Sequence, residues 1–353
     1  NSTGDTWAKV DAVDSATQLS LSADIMVSGE AYVISNAFST IQGAVNAVPG
    51  LVNCDTTIKI SNGTFTEDVV AQGKAFSGAF RITLAGTKTI LESLTAASGV
   101  KGTGATRGSV TRNAGTWTTD QRQHKLLKFT SGNNSGVSRI IDTNDTTVAT
   151  ITGQWDGTIA SGNTFVVQDW ATIIQANVGR ALTLIGQTSL YLEDLALYKQ
   201  GSSWAIDMFT NSSVTLTRCS VQGYACQEPG ALYTYDVIFA GDTMGVFLQQ
   251  ASYFGYRTKI TGYSYCLRAL AMSNVQIREG CIINAGSVYG VWIDRNSVGR
   301  FDTPAGTAYN FITNNGTGIY AGFGGMGKFT STVQYSGNTT NESADAATYG
   351  YID

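Results

Sequence analysis

An all-β solenoid, the parallel β-helix, is the fold class that this 353-residue chain predicts. Three observations carry it. The stretch from Ser189 to about Thr332 repeats one unit, seen as SSVTLTRCSVQG from Ser212, ASYFGYRTKITG from Ala251, SNVQIREGCIIN from Ser273 and a degenerate SVGRFDTPAG from Ser297. Segment starts recur about every 20–25 residues, a solenoid spacing. Each unit opens on a small or polar pair, runs through a short β-type strand and ends at Gly or Asn, with no helical pattern between units. Such units stack so that each strand pairs with the strand one rung away. Finally, Gly is abundant at 40 and Pro scarce at 3. That balance suits many turns and few strand positions lacking a donor.

Composition narrows the partners. Charged residues make up 14% of the chain and the net charge is −4. No basic stripe is present, which argues against nucleic acid. Ser, Thr, Asn and Gln supply the polarity, and neutral ligands such as sugars suit that surface. No apolar run approaches ~20 residues, so no membrane insertion is expected. The five cysteines, Cys54, Cys219, Cys226, Cys266 and Cys281, form no CxxC pair. Cys219, Cys266 and Cys281 fall in apolar strand patterns and read as buried small hydrophobes. With one histidine, a two-His metal site is excluded; no metal and no cofactor is expected.

In chain order, residues 1–35 read as a β module. NSTGDTWAKVDAVDSATQLSLSADIMVSGEAYVIS aligns with NNSGVSRIIDTNDTTVATITGQWDGTIASGNTFVVQ from Asn133. Both contain Asp-x-x-Asp, an alternating strand, Ser-Gly and an aromatic-Val pair. The second copy follows a strand, HKLLKFTSG, that the first lacks. The expectation is a duplicated module that begins upstream of Asn1. Residues 36–94 read as a helix cap with the first rungs. Phe38, Ile41, Val45 and Val48 share a face at helical spacing over 36–50, with Asn36 or Ser39 as cap and Pro49-Gly50 as stop. Residues 95–172 read as an inserted β module and 173–337 as the main β-helix. Periodicity fades after Asn338, so 338–353 reads as a loose extension.

The opening of the second segment resembles a known family. Phe-Ser-Thr-Ile-Gln-x-Ala-Val-Asn-Ala-Val at 38–48, Ile-Lys-Ile-Ser-Asn-Gly-Thr-Phe-Thr-Glu at 58–67 and Ile-Thr-Leu-Ala-Gly at 82–86 are similar to the start of the pectin-lyase-like superfamily. The resemblance implies a right-handed single-stranded parallel β-helix whose mouth is capped by the helix. That superfamily includes pectin methylesterases, pectate lyases, polygalacturonases and phage tailspikes. The duplicated module resembles those of phage and prophage tail proteins. This implies a tailspike-like protein on a virion tail, or extracellular, a homotrimer that engages cell-surface polysaccharide. Two rivals stand beside it: a secreted carbohydrate-active enzyme (lyase, hydrolase or esterase) and a non-catalytic structural solenoid.

Candidate chemistry starts from carboxylates. Paired-acid glycoside hydrolysis needs two of them about 5–9.5 Å apart, a distance that matching positions one or two rungs apart supply. Asp236, in Tyr-Asp-Val-Ile-Phe-Ala-Gly, echoes a strand of pectin methylesterases, although the companion elements are missing. Asp294 and Asp302 are the later candidates. In Val-Trp-Ile-Asp-Arg-Asn at 291–296, Trp292 and Asp294 alternate with apolar residues and so point outward. Trp292, Arg295, Tyr263 and Tyr265 are the candidate sugar contacts, the tyrosines because they sit at the polar turn TGYSYC. They belong to a larger aromatic set that includes Trp204, Tyr224, Tyr233, Tyr235, Tyr253, Tyr256 and Tyr289. His124 reads as a solvated loop residue. Gly322–Lys328 matches a glycine-rich phosphate loop in letters only, because a strand follows it; it reads as a tight turn.

Overall fold

The computed structural model describes residues 10–15, 18–21, 38–76, 80–201, 204–226, 229–241, 243–303, 307, 309–329, 333–344 and 351–352. The chain divides into two units, Asn1–Phe38 and Ser39–Asp353. In the first, Val10–Ser15 and Gln18–Leu21 form an antiparallel hairpin with Val13 opposite Leu19. The rest of the expected 1–35 module lies outside the described residues. In the second copy the corresponding segments, Ser138–Asn144 and Val148–Ile151, also pair as an antiparallel hairpin. The second aspartate of its Asp-x-x-Asp makes the turn: Asp145 accepts the Thr147 and Val148 N–H groups, both at 2.7 Å.

The second unit opens on a helix, Ile41–Ala47. It is shorter than the 36–50 span expected, and its cap is Thr40 rather than Asn36 or Ser39. The Thr40 hydroxyl accepts the Gly43 N–H at 2.9 Å. Glu67, from a neighbouring turn, accepts the Ile41 and Gln42 N–H groups at 2.9 Å each. These bonds satisfy donors that the first turn leaves open. Ile41, Ala44 and Val45 face inward, whereas Phe38 precedes the helix and is exposed.

Beyond the helix the chain is a parallel β-helix of three sheets, with nine, nine and ten strands. The first sheet runs from Gly63–Thr66 to Val333–Ser336, the second from Val69–Gln72 to Thr340–Ala344, and the third from Thr56–Lys59 to Tyr351–Ile352. Successive rungs are offset by 18 residues (Ser220 with Ile238) to 29 residues (Ile282 with Phe311). Alternation places aliphatic columns inside, for example Leu84, Leu192 and Leu216, all fully buried. Cys219, Cys266 and Cys281 are free thiols in this interior, and burial pushes each up to about 12.

The C-terminal segment is not the loose extension expected. Thr340–Ala344 pairs with Thr317–Ala321, and Tyr351–Ile352 pairs with Met326–Phe329. A terminal rung gains its backbone hydrogen bonds whatever its side chains are, so polar letters conceal the strand. Gly322 to Gly325 is a tight turn between two strands, closed by Gly325 N–H to Gly322 O at 2.7 Å.

One closed six-stranded barrel interrupts the rungs. It starts at Lys88, before residue 95, and ends at Trp170. Its core stacks Trp155 edge-on to Phe129 at 4.8 Å, with Phe165 alongside. Closure leaves no free sheet edge. The rungs resume beyond it: Thr172–Gln175 pairs directly with Gly63–Thr66. The barrel covers the outer face of the first sheet, where Leu126, Ile140 and Trp170 meet Ala196 and Ile238.

Candidate functional site

The candidate acids fall at corners, where the chain turns from one sheet to the next. At the turn from the third sheet to the first, successive rungs place Asp194, Arg218, Asp236 and Arg257 in left-handed backbone, with φ of 59°, 53°, 54° and 47°. Their signs alternate up the corner. Arg218 holds Asp194 at 2.6 Å, and Arg257 holds Asp236 at 3.1 and 3.2 Å. The barrel adds Lys88 to Asp194 at 2.6 Å and Arg139 to Asp236 at 3.7 Å. Burial alone would raise the Asp194 carboxyl; Arg218 and Lys88 outweigh it and hold that group below its usual range. The corner is therefore an ion-pair ladder on which the barrel sits. Asp236, the candidate acid that echoes a pectin methylesterase strand, is buried under two guanidiniums.

Asp302 lies higher on the same corner, 3.0 Å from Arg300 and 3.7 Å from Arg278. Asp294 is at the other corner, from the second sheet to the third, half-buried and accepting the Arg295 N–H at 2.8 Å. Among the described residues it alone of the three has no cation within ion-pair distance. Arg295 is exposed in the left-handed turn beside it, at φ 51°.

The tyrosines of TGYSYC part company. Tyr263 is 1% exposed and points into the core, not outward as expected. The reason lies one rung below, where Gly241 and Gly245 leave the space its ring fills; a Cβ on Gly245 would come within 2.9 Å of the ring. Tyr265 faces outward on the second sheet, where a recurrent pattern sets the surface. Met244-Gly-Val-Phe247, Tyr265-Cys-Leu-Arg268, Tyr289-Gly-Val-Trp292 and Thr317-Gly-Ile-Tyr320 each turn positions one and four out and bury the two between. The strands are in register, so Phe247, Arg268, Trp292 and Tyr320 form one outward column.

That column and its neighbour make an aromatic face. Tyr265, Tyr289 and Trp292 lie within 5.4–5.9 Å of one another at tilted or edge-on angles. Tyr320 stacks on Tyr289 at 4.8 Å. Further along, Trp204 stacks on Phe247 at 5.9 Å. The Arg268 guanidinium lies 3.8 Å from the Trp292 ring centre. The Arg268 Nε and Trp292 Nε1 donors are buried without an acceptor. Lower in the same column is Asp207, fully buried and 2.6 Å from Arg180. Burial pushes its carboxyl up to about 6 against the pull of Arg180.

Arg268, Phe247 and Tyr320 escaped the sequence reading. The signal for them was the four-fold recurrence of small-aliphatic-aromatic (or Arg) one rung apart. His124 is not a solvated loop residue either. It sits at the barrel's underside beside Lys259, Asp142 and Lys125, where burial and the Lys259 cation push it down to about 4. Among the described residues no group of His, Cys, Asp and Glu could hold a metal.

Comparison with known proteins adds structural neighbours. No protein-family model matches the chain, and no curated protein matches it. Among solved structures, the tailspike protein gp49 from Pseudomonas phage LKA1 is 12% identical; the match covers 83% of this chain and 56% of that one, with TM-score 0.30. The Pseudomonas phage phi297 tailspike gp61 is 9% identical, over 86% and 66% of the two chains, TM-score 0.26. The gp54 tailspike of Acinetobacter baumannii bacteriophage AP22, in complex with A. baumannii capsular saccharide, is 10% identical, over 87% and 67%, TM-score 0.21. The chain thus spans just over half the length of the first of these.

Proposed function

We propose that this chain is a tailspike-like β-helix of the pectin-lyase-like kind. It serves on a virion tail and engages a cell-surface polysaccharide through the outward aromatic face of its second sheet. The observation that carries this reading is the cluster of Tyr265, Tyr289, Trp292 and Tyr320, half-buried on a regular sheet around the Arg268 guanidinium, which has no ion pair among the described residues. Ring faces stack on the C–H faces of sugars, and fixed polar groups orient them. A panel of bacterial capsular and lipopolysaccharide glycans tests it. At least one binds the unaltered protein, and Trp292→Ala or Tyr289→Ala weakens that binding at least tenfold with an unchanged unfolding midpoint. Silence across the panel from a stable oligomer would favour the structural solenoid instead. The tailspike resemblance implies a homotrimer, which sedimentation equilibrium measures.

Depolymerisation is the catalytic form of the same reading. Asp294, at the rim of the aromatic face and with no cation in ion-pair distance among the described residues, is its acid; Asp302 and Asp236 are held by guanidiniums. Release of reducing ends by the unaltered protein, lost in Asp294→Asn, supports cleavage. Binding without such release makes the face an adhesin.

A further inference from the structure

We propose that Arg268 receives the carboxylate of an acidic sugar, so that the glycan class is one carrying uronic or similarly carboxylated residues. This rests on the glycan reading above and narrows it. Arg268 occupies the rung between Phe247 and Trp292, 5.9 Å from the first ring and 3.8 Å from the second. Aromatic faces hold it in place of a carboxylate. The arginines of the corner ladder and of the barrel interface contrast with it: Arg107, Arg139, Arg218 and Arg257 each have an acid within 4 Å. Among the described residues Arg268 makes no ion pair and donates no hydrogen bond, and its Nε is buried without an acceptor. Trp292 Nε1 beside it is in the same condition.

A charged group rarely stays in that state without a use, because desolvation of a cation costs free energy that pairing offsets. Burial among the rings pushes the Arg268 guanidinium down from its ordinary value, with Asp294 and Tyr265 pulling the other way. Asp294 lies beyond ion-pair distance and leaves the fork of terminal Nη1 and Nη2 donors without a carboxylate, while Nε is turned inward. A planar guanidinium stacked on a ring presents that fork edge-on, which matches a carboxylate bidentately. The rings of Tyr265, Tyr289 and Trp292 then lie beside the pyranose that bears the carboxylate.

The test uses polygalacturonate, alginate and hyaluronate, each before and after chemical reduction of its carboxyls to alcohols, with neutral dextran and dextran sulfate as controls. At least one acidic polymer binds the full chain, and its reduced form binds at least tenfold more weakly. Arg268→Gln erases that difference. Arg268→Lys, which keeps the charge and loses the fork, retains only part of it, and both variants unfold at the midpoint of the unaltered protein. Equal binding of native and reduced polymers, or a preference that survives Arg268→Gln, overturns the proposal. Dextran sulfate binding as well as the carboxylated polymer reduces it to general anion attraction and overturns the carboxylate assignment. Binding of neutral polymers alone defeats the acidic-sugar inference and leaves the glycan reading standing. Binding of no polymer in this set or in the earlier panel defeats both.

Discussion

Two outer faces of the same β-helix are treated differently. The first sheet turns Ile173, Ala196 and Ile238 outward, and the barrel covers them. Around that contact charges are paired: Lys259 lies 2.6 Å from Asp142, Arg107 pairs with the same carboxylate, and Trp170 donates to the Arg218 carbonyl at 2.6 Å. The second sheet turns Phe247, Arg268, Trp292 and Tyr320 outward; they remain half-exposed, and two of the donors lack acceptors. The same rung geometry thus makes a closed internal joint on one side and an open, unsaturated surface on the other. A guanidinium left without an ion pair, not the number of aromatic rings, separates the second-sheet face from the covered one. The third sheet also turns rings outward, in near-parallel pairs: Tyr233 on Phe254 at 4.8 Å and Tyr235 on Tyr256 at 5.1 Å.

The covered face should break by stability and the open one by binding. The largest effect is expected from Lys259→Met. It leaves the Asp142 carboxylate buried with Arg107 as its remaining partner. Removing one member of a buried pair costs about 3–5 kcal/mol, read from urea midpoints, while glycan affinity per folded molecule is unchanged. Loss of both together would show that the faces are not independent.

Acid pH gives the next effect, and its sign differs between the faces. His124, on the covered side, has its imidazole lowered to about 4 from 6.5. Between those values the unfolded chain binds a proton that the folded one refuses, so stability falls as pH drops from 6.5 to about 4. Asp207, in the open column, has its carboxyl raised to about 6 from 3.8. There the folded chain binds the proton first, so stability rises as pH drops through that window. Toward pH 4, His124→Gln therefore loses less stability than the unaltered protein does, and Asp207→Asn loses more. Identical pH profiles for all three would contradict the assignment.

Trp292→Ala comes next. It lowers glycan affinity by at least about tenfold, or ~1.4 kcal/mol, and shifts the unfolding midpoint less than Lys259→Met does. The smallest effect belongs to the third sheet. Tyr256→Ala removes one stacked pair worth about 0.5–1.5 kcal/mol and leaves glycan binding untouched.

The sequence made the architecture legible because rungs repeat and their interior columns are aliphatic. It hid the corners. Asp194, Arg218, Asp236 and Arg257 are 18–24 residues apart and look like scattered single charges. Only the rung register shows that they alternate in sign up one edge. Tyr263 and Tyr265 stand two residues apart, which in a regular strand means one face. The corner between them breaks that rule, and Gly241 and Gly245 draw Tyr263 inside. The C-terminal strands were masked by polar composition, and His124 by having no neighbour in sequence that reveals Lys259 and Asp142.

The central claim is that the second-sheet face is where glycan binds. A crystal structure of the full chain with a bound fragment of the polysaccharide selected by the panel tests it most directly. Sugar rings are expected against Tyr265, Tyr289 and Trp292, with an acceptor at Arg268. Glycan seated on the barrel or on the third-sheet ladders, with the Trp292 face empty, would contradict it.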